Sequence, residues 1–282
     1  MKLCRYGKNG FEKPGIIDAD GRLRDLSKVV ENIGPKELAP RGLKMLAKIK
    51  PEALAVVANG PRLGVPFVGI GKFVAIGLNY SDHAKEAGMA IPSEPIVFMK
   101  ATTCISGPND DVIQPKRSTK LDWEVELGIV IGSKAQYVSE AEALGYVAGY
   151  CVVNDVSERA FQMATGQWDK GKSFDTAGPI GPWLVTTDEI KDPQVLDMWL
   201  DVNGKRMQSG NTRTMIFNCA QIVSHVSHYM TLMPGDVICT GTPPGVGLGM
   251  KPNPVFLKPG DVMTLGIHGL GEQKQKVVAY SG

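Results

Sequence analysis

The sequence has few cysteines, no marked excess of one charge and no long apolar run, and each lack excludes a class of protein. Its five cysteines are an odd number and include no Cys-x-x-Cys pair, so we expect no disulfide framework and a reducing, cytoplasmic setting. Basic residues number 31 and acidic residues 29, which excludes a nucleic-acid binder that depends on overall charge. No stretch approaches the roughly 18 apolar residues of a membrane span, and the first residues lack the apolar core of a signal peptide.

Three familiar binding and catalytic motifs are also missing. The Gly/Pro-rich stretch 239–247 lacks the Gly-Lys-Ser/Thr ending of a phosphate-binding loop, although its hydroxyl and N–H groups could face an anion. The glycines of 245–249 lie outside the strand–helix context that a dinucleotide fingerprint requires. No Gly-x-Ser-x-Gly segment is present to support a serine hydrolase.

What is present indicates a packed, turn-rich, strand-rich fold. Hydrophobic residues make up 43% of the chain, and glycine (33) and proline (19) are abundant. From residue 72 onward, short apolar runs between Gly/Pro turns outnumber helical segments, which favours a β-rich α+β fold over a doubly wound sheet. The predicted strands are Phe73–Gly77, Ile96–Met99, Glu124–Ile131, Gly145–Val153, Trp183–Thr186, Asp197–Val202, Val237–Thr240 and Val262–Ile267, and the predicted helices are Asp82–Ala87, Ser157–Met163 and Cys219–Met230.

The first 71 residues have a different pattern. Short strands are predicted at Lys2–Tyr6, Gly15–Ile17 and Arg22–Asp25, followed by helical spacing over Ser27–Glu31 and Pro35–Ile49. We predict a small N-terminal α+β domain over 1–71 and a catalytic domain over 72–282. The alternative is that the first segment only covers an edge of the main sheet.

Paired carboxylates are the strongest chemical signal. Glu124 and Glu126 are two apart on a predicted strand, so both side chains leave one face, about 6.6 Å apart. Their apolar neighbours indicate burial, and buried like charges require a compensating cation such as Mg²⁺ or Mn²⁺. Asp155 ends a later apolar run and could join them, or could simply cap the helix that follows. The alternative for the pair is a solvated strand face.

A second signal combines a histidine, a carboxylate and a lysine. His83 and Glu86 are spaced i, i+3, so on a helix the carboxylate can orient the imidazole as a general base. Lys172 precedes a Gly/Pro-rich stretch and could stabilise a developing oxyanion. Taken alone, each also fits an ordinary surface residue.

Together these stretches resemble the fumarylacetoacetate hydrolase superfamily. The resemblance covers the chain from about Lys72 to the C-terminus, with the motifs in the family's order. The matching segments are Gly77-Leu-Asn-Tyr-Ser-Asp-His-Ala-Lys-Glu86, Trp123-Glu-Val-Glu-Leu127, Val153-Asn-Asp-Val-Ser-Glu-Arg159, Lys172-Ser-Phe174 and Gly241-Thr-Pro-Pro-Gly-Val-Gly247.

The resemblance implies a mixed β-roll, commonly dimeric, and a role for each matching residue. It implies that Glu124, Glu126 and Asp155 hold Mg²⁺, with Mn²⁺ as the alternative ion. It implies that His83 and Glu86 activate water and that Lys172 stabilises an enolate. Substrate contacts would come from Arg159, Gln162, Thr242, Tyr80 and Lys100, although Lys100 is followed here by Ala101 where the family usually has proline.

The implied activity is metal-dependent hydrolysis of a C–C bond in a 2,4-diketo acid, which gives pyruvate and a carboxylic acid. The expected partner is a small 2-oxo acid, and a 2,4-diketo-3-deoxy sugar acid such as an L-rhamnonate or L-fuconate derivative is the closest match. We expect no nucleic-acid or membrane partner. We expect the protein to form a homodimer. The alternatives are a 2-oxo acid decarboxylase or isomerase, a ureidoglycolate lyase, and a non-catalytic binding relative.

Overall fold

Continuous apolar runs form the central strands of a large mixed sheet. The computed structural model describes residues 1–282, except for the side chain of Ala87. The strands are β1 (Lys2–Tyr6), β2 (Lys13–Ile17), β3 (Leu23–Asp25), β4 (Leu63–Gly64), β5 (Phe73–Gly77), β6 (Ile96–Lys100), β7 (Ile105–Ser106), β8 (Val112–Gln114), β9 (Leu121–Asp122), β10 (Val125–Ile131), β11 (Val147–Asn154), β12 (Ser157–Glu158), β13 (Gly178–Thr186), β14 (Asp197–Val202), β15 (Lys205–Asn211), β16 (Val237–Cys239), β17 (Val262–Ile267) and β18 (Gly271–Ala279). The helices are α1 (Pro35–Leu38), α2 (Pro40–Leu46), α3 (Ser81–Ala87), α4 (Glu140–Ala143), α5 (Arg159–Gln162), α6 (Asp169–Lys172) and α7 (Cys219–Tyr229). Every residue of β10 and β11 is buried, and these strands are apolar except for Glu126 and Asn154.

The strands form two sizeable sheets and one short pair. The large sheet has the order β3-β2-β1-β13-β11-β10-β16-β5-β6, with β4 paired to β1 and β7 to β13, and the second sheet has the order β15-β14-β17-β18-β8. Buried amides join the two sheets: the Gln273 side chain donates to the Val152 carbonyl (2.8 Å), and Asn154 donates to Gln275 (3.0 Å). This arrangement confirms the predicted β-rich α+β fold.

The short pair of β9 and β12 has a direct consequence for the site. Its register sets Ser157 opposite Asp122 and Glu158 opposite Leu121. The helix α5 follows β12 at once, so its first residue, Arg159, is brought to Asp122. Since β9 runs into β10, the pair links the start of the central strand to the helix.

The N-terminal segment continues the large sheet. Strand β1 pairs with β13 through Lys2↔Val185 and Leu3↔Leu184, and β2 and β3 extend the sheet beyond it. The pairing agrees with the alternative in which this segment covers a sheet edge, while the division at residue 71 stays a prediction.

Several predicted elements differ in detail. Pro40 splits the predicted helix Pro35–Ile49 into α1 and α2, because proline has no N–H to donate. The predicted helix Ser27–Glu31 is a turn closed by bonds from Val29 and Val30 to the Leu26 carbonyl. Strands β15 and β18 were not predicted, since their mixed polar sequences give no apolar run.

The cysteines and helices agree with two further expectations. All five cysteines are free and buried, as expected for small hydrophobic residues rather than a disulfide framework. Among the described helices, none is long and apolar enough to cross a membrane.

Candidate active site

A cavity of about 310 Å³ opens at the ends of the central strands, and it collects most of the predicted site residues. Nine of the eleven line it: His83, Glu86, Glu124, Glu126, Asp155, Arg159, Gln162, Lys172 and Thr242. Lys100 and Tyr80 are not among the lining residues. The cavity therefore brings together groups that lie up to 159 residues apart along the chain.

The acidic side chains meet because β10 and β11 pair in antiparallel register. Val125 lies opposite Asn154, and the Asp155 N–H donates to the Glu124 carbonyl at 2.9 Å. Glu124, Glu126 and Asp155 are each at most 6% exposed. Carboxylates this buried require compensating charge.

Two lysines and an arginine supply part of that charge. The Lys172 ammonium lies 2.7 Å from Glu124 Oε2 and 2.6 Å from Asp155 Oδ2, and the Lys100 ammonium lies 2.6 Å from Asp155 Oδ1. Burial lowers the pKa of Lys172, but Asp155 and Glu124 outweigh it and raise this pKa above its ordinary value. Lys172 therefore stays charged.

Arg159 connects Glu124 to Asp122, an acid that is not among the predicted site residues. Its guanidinium lies 2.6 Å from Glu124 Oε1 and 2.8 Å from Asp122 Oδ2. Asp122 is fully buried and also accepts N–H bonds from Gly247 (2.6 Å) and Leu248 (3.0 Å). Burial raises the pKa of Glu124, but Lys172 and Arg159 outweigh it and hold this pKa below its ordinary value. We call these seven side chains the charge cluster: Lys100, Asp122, Glu124, Glu126, Asp155, Arg159 and Lys172.

Glu126 differs from the other acids of the charge cluster. Across the described residues it has no ion pair, and its carboxylate accepts one bond, from the Gly241 N–H at 2.7 Å. Burial raises its pKa well above the ordinary value, and the nearby charges of Asp155 and Glu124 raise it further. Four acidic and three basic side chains make up the charge cluster, so with all four acids ionised one negative charge has no basic partner. This imbalance fits a bound cation.

Three side chains that could ligate a metal ion meet around Glu126. The ligand atoms of Glu126, Asp155 and Cys239 all lie within 4.8 Å of one another. The Cys239 thiol points to the Val74 carbonyl (3.5 Å), and burial, with Glu126 and Asp155, raises its pKa well above the ordinary value. A protonated thiol is a poor ligand for a hard cation, whereas the two carboxylates suit Mg²⁺ or Mn²⁺. Glu124, the third predicted ligand, is instead bonded to Arg159 and Lys172 here.

The His83–Glu86 pair lies on the same cavity. His83 Nδ1 is 3.0 Å from Glu86 Oε2 on the helix α3, as the i, i+3 spacing predicts. The Gly245 N–H donates to Glu86 Oε1 at 3.1 Å, so the Gly/Pro-rich loop also holds this carboxylate. With Glu86 ionised, Nδ1 is the donor, and Nε2 is left as the proton acceptor.

The remaining predicted residues have different surroundings. The Thr242 hydroxyl donates to the Val125 carbonyl (2.9 Å) and accepts from Gln208 (2.8 Å), so its proton is engaged within the protein. Tyr80 is fully buried with its hydroxyl 3.1 Å from Met198 Sδ, behind the cavity wall. The Lys100 ammonium reaches the Lys172 carbonyl as well as Asp155, which places it beneath the cavity rather than on it. Tyr80 and Lys100 are not among the residues that line the cavity, so their contact with the substrate stays a prediction.

Sequence reasoning did not include Asp122 or Trp168 among the site residues. Asp122 lies in the same acidic segment as Glu124 and Glu126, and this proximity in the sequence could have indicated that it belongs to the site. Trp168 lines the cavity and packs over Gly77, where an added Cβ would lie 2.4 Å from its ring. Since the two are 91 residues apart, no local pattern could pair them.

Fold and site together define a strand-rich α+β protein with a buried acidic centre beside a His–Glu pair. The chain belongs to the fumarylacetoacetate hydrolase family, since the family model "Fumarylacetoacetate (FAA) hydrolase C-terminal" matches residues 72–278.

Similar proteins cover nearly the whole chain. A Burkholderia cenocepacia (strain HI2424) protein, whose name carries the word hydrolase, is 61% identical over 277 residues, 98% of each chain. The fumarylacetoacetate hydrolase of Exiguobacterium antarcticum is 36% identical with a TM-score of 0.90, over 99% of this chain and 100% of that one. The maleylpyruvate hydrolase of Sphingobium sp. SYK-6, solved with manganese(II) and pyruvate, is 29% identical with a TM-score of 0.83, over 99% of each chain. Mycobacterial isomerases are also among the similar structures.

Proposed function

We propose that this protein hydrolyses the C–C bond of a 2,4-diketo acid of the acylpyruvate type, with Mg²⁺ or Mn²⁺ as cofactor. The observation that carries the proposal is that the His83–Glu86 pair and the acidic centre line one cavity. The reaction is R–CO–CH₂–CO–COO⁻ + H₂O → R–COO⁻ + CH₃–CO–COO⁻ + H⁺.

His83 is the proposed general base. Glu86 fixes the tautomer in which Nε2 accepts a proton, so His83 can take the proton of a water as its oxygen bonds to the C4 carbonyl carbon. The C3–C4 bond then breaks, C4 leaves as a carboxylic acid, and C3 gains a proton. Glu86 stabilises the imidazolium in the interval.

The charge cluster is proposed to bind and orient the 2-oxo acid end. Lys172 and Arg159 present positive charge to the substrate carboxylate and to the negative charge that develops on its keto oxygen. Glu126 and Asp155, with Glu124 beside them, are the residues that would hold the divalent cation. When bound, the cation supplies Lewis-acid polarisation of the keto oxygen and counters the uncompensated negative charge.

The relatives support this proposal at the level of reaction type. The Sphingobium protein is named a maleylpyruvate hydrolase and was solved with manganese(II) and pyruvate, which matches both the proposed cofactor and the proposed product. Isomerisation requires proton transfer without an activated water, and the His83–Glu86 pair on the cavity supports hydrolysis instead. Hydrolysis of a 2,4-diketo-3-deoxy sugar acid, as the sequence resemblance implies, remains the proposed natural reaction.

A direct assay tests the proposal. The purified protein is incubated with acetylpyruvate and longer acylpyruvates with and without EDTA, and pyruvate release and loss of enol absorbance are followed. We expect stoichiometric pyruvate that depends on added Mg²⁺ or Mn²⁺. Enol loss without pyruvate would indicate isomerisation instead. No metal-dependent change with any substrate would favour a binding protein.

A further inference from the structure

A buried glutamine of the second sheet connects two parts of the candidate active site. Gln208 lies on β15 and is fully buried. Its Oε1 accepts the Val125 N–H at 3.0 Å. Its Nε2 donates to the Thr242 hydroxyl and to the Pro243 carbonyl, both at 2.8 Å. One side chain therefore binds strand β10 and the Gly/Pro-rich loop 241–249 at the same time.

These bonds begin where the pairing of two central strands ends. Strand β16 pairs with β10 only as far as Cys239, and the chain turns at Gly241, where φ is +91°. Beyond the turn, the Thr242 hydroxyl donates to the Val125 carbonyl at 2.9 Å, and Gln208 accepts the Val125 N–H. Two side chains thus replace the missing neighbour strand, and both backbone groups of a fully buried residue have partners.

Val125 is the residue between two of the proposed cation ligands. Its N–H belongs to the peptide bond with Glu124, and its carbonyl belongs to the peptide bond with Glu126. Fixing these two peptide groups fixes the backbone from which both carboxylates extend. The Glu126 carboxylate is also held by the Gly241 N–H at 2.7 Å, at the start of the loop that Gln208 binds.

The same loop packs closely against β15. An added Cβ at Gly210 would lie 2.4 Å from the Pro243 Cβ, and one at Gly245 would lie 2.0 Å from the Met207 carbonyl oxygen. A register shift between β14 and β15 leaves Met207 without an opposite residue, as in a β-bulge. Since the Gly245 N–H donates to Glu86, the contact with β15 also sets the position of that donor.

We propose that Gln208 is a positioning residue that holds the cation ligands and the His83–Glu86 pair in one fixed arrangement. It does not line the cavity, so it acts through Val125 and the loop 241–249. This inference rests on the proposed function, which assigns the cation and the base. Groups that orient metal ligands typically contribute about 10- to 100-fold to metal affinity or activity.

Gln208→Met tests the inference on the whole protein, because it removes the amide and keeps the side-chain length. Titration with Mn²⁺ in the absence of substrate, with free Mn²⁺ measured by electron paramagnetic resonance, gives the Kd. We expect this Kd to rise about 10-fold or more, and kcat for acetylpyruvate at saturating Mn²⁺ to fall by a similar factor. KM should change by less than about threefold, because Lys172 and Arg159 keep their partners.

Gln273→Met is the matched control. Gln273 is also a buried glutamine of the second sheet, but it donates to the Val152 and Gly181 carbonyls, at 2.8 and 3.0 Å. Both variants leave buried backbone groups without partners, so both should lower the Tm. Only Gln208→Met should weaken Mn²⁺ binding, and the Kd of Gln273→Met should stay within about twofold of the unaltered protein. An unchanged Kd in Gln208→Met, or an equal rise in both variants, overturns the inference.

A second pair of variants serves if Gln208→Met does not fold. Thr242→Val removes the hydroxyl that links Gln208 to the Val125 carbonyl, whereas Thr242→Ser retains it. We expect the Kd for Mn²⁺ to rise about 10-fold in Thr242→Val and to stay near its original value in Thr242→Ser. The same Kd in the two variants overturns the inference.

The Mn²⁺ titrations also separate this inference from the proposed function. Normal Mn²⁺ binding without pyruvate release from any acylpyruvate overturns the proposed function and leaves the role of Gln208 at the cation ligands in place. Normal pyruvate release with an unchanged Kd in Gln208→Met overturns the inference alone. Absence of Mn²⁺ binding by the unaltered protein overturns both.

Discussion

At the scale of single residues, the site depends on which charges have partners. Glu124 is paired with Arg159 and Lys172, whereas Glu126 is buried with one backbone N–H bond and no cation. Replacing Glu124 and replacing Glu126 should therefore have different effects on stability, although the two residues are of the same type and two positions apart. The carboxylate of Glu124 neutralises basic partners, whereas that of Glu126 has none.

Neutral variants of these two acids should change stability in opposite directions. Without added metal, Glu126→Gln should keep or raise the Tm, because Glu126 has no basic partner to lose and the glutamine oxygen retains the Gly241 bond. Glu124→Gln should lower stability by about 3 kcal/mol, because it leaves buried cations without their partner. Thermal unfolding with excess EDTA measures both, and Mn²⁺ titration should show weaker binding by Glu126→Gln. A larger Tm loss for Glu126→Gln than for Glu124→Gln would contradict this assignment.

His83 allows a separate test of the chemistry. His83→Ala should lower kcat about 10²- to 10⁴-fold, the usual contribution of a general base, while Mn²⁺ affinity stays within about twofold. Steady-state kinetics and Mn²⁺ titration measure the two effects. His268→Ala, at an exposed histidine outside the cavity, is the matched control. Unchanged kcat in His83→Ala would remove the proposed base.

At the scale of elements, the loop 241–249 joins the parts of the site. Its N–H groups bind Glu126 through Gly241, Glu86 through Gly245 and Asp122 through Gly247 and Leu248. The loop therefore holds Glu86, Asp122 and Glu126 through backbone N–H groups alone, and it has no charged side chain of its own.

A methyl group on this loop should disturb the His–Glu pair. An added Cβ at Gly249 would lie 2.8 Å from the Glu86 carboxyl carbon, so Gly249→Ala must displace that carboxylate. We expect kcat to fall about 10- to 100-fold, because small misplacement of a catalytic group has effects of this size. The matched control is Gly145→Ala, where nothing lies within 4 Å of the added Cβ. Kinetics and Tm together distinguish local displacement from unfolding, and equal kcat in the two variants would show that Glu86 has room to adjust.

At the scale of the whole molecule, the large sheet crosses the predicted domain boundary. Strand β1 supplies the hydrogen-bonded neighbour of β13, and Leu3 and Ile16 are buried in the shared core. Removing residues 1–71 would expose a long apolar edge strand, and such edges promote aggregation.

A chain of residues 72–282 alone should therefore fail to fold as a soluble monomer. Size-exclusion chromatography and far-UV circular dichroism measure this outcome, with the full chain as the reference. Co-expression of residues 1–71 as a separate chain should restore a soluble complex, because it restores the β1–β13 pairing. A monodisperse, folded 72–282 would instead establish the two predicted domains as independent units.

The sequence predicted the elements with strong local patterns. Strands β5, β14 and β17 have the predicted bounds, and His83 bonds to Glu86 as its helical spacing indicates. The order of five motifs identified the family, and the match over residues 72–278 confirms it. The strand bounds and the His83–Glu86 bond follow from periodicity and spacing within a few residues, and the family follows from the resemblance of its motifs; the amino-acid sequence determines both by itself.

Tertiary structure alone decided which charges meet and which stay unpaired. The pairing of β10 with β11 brings Asp155 to Glu124, and the link between β9 and β12 brings Arg159 to Asp122. Lys172 reaches two acids, 17 and 48 residues before it, and Glu126 is left without a basic partner. Contacts between distant segments depend on strand register and packing, which no local spacing encodes, so the imbalance of charge that fits a cation emerged only in the folded chain.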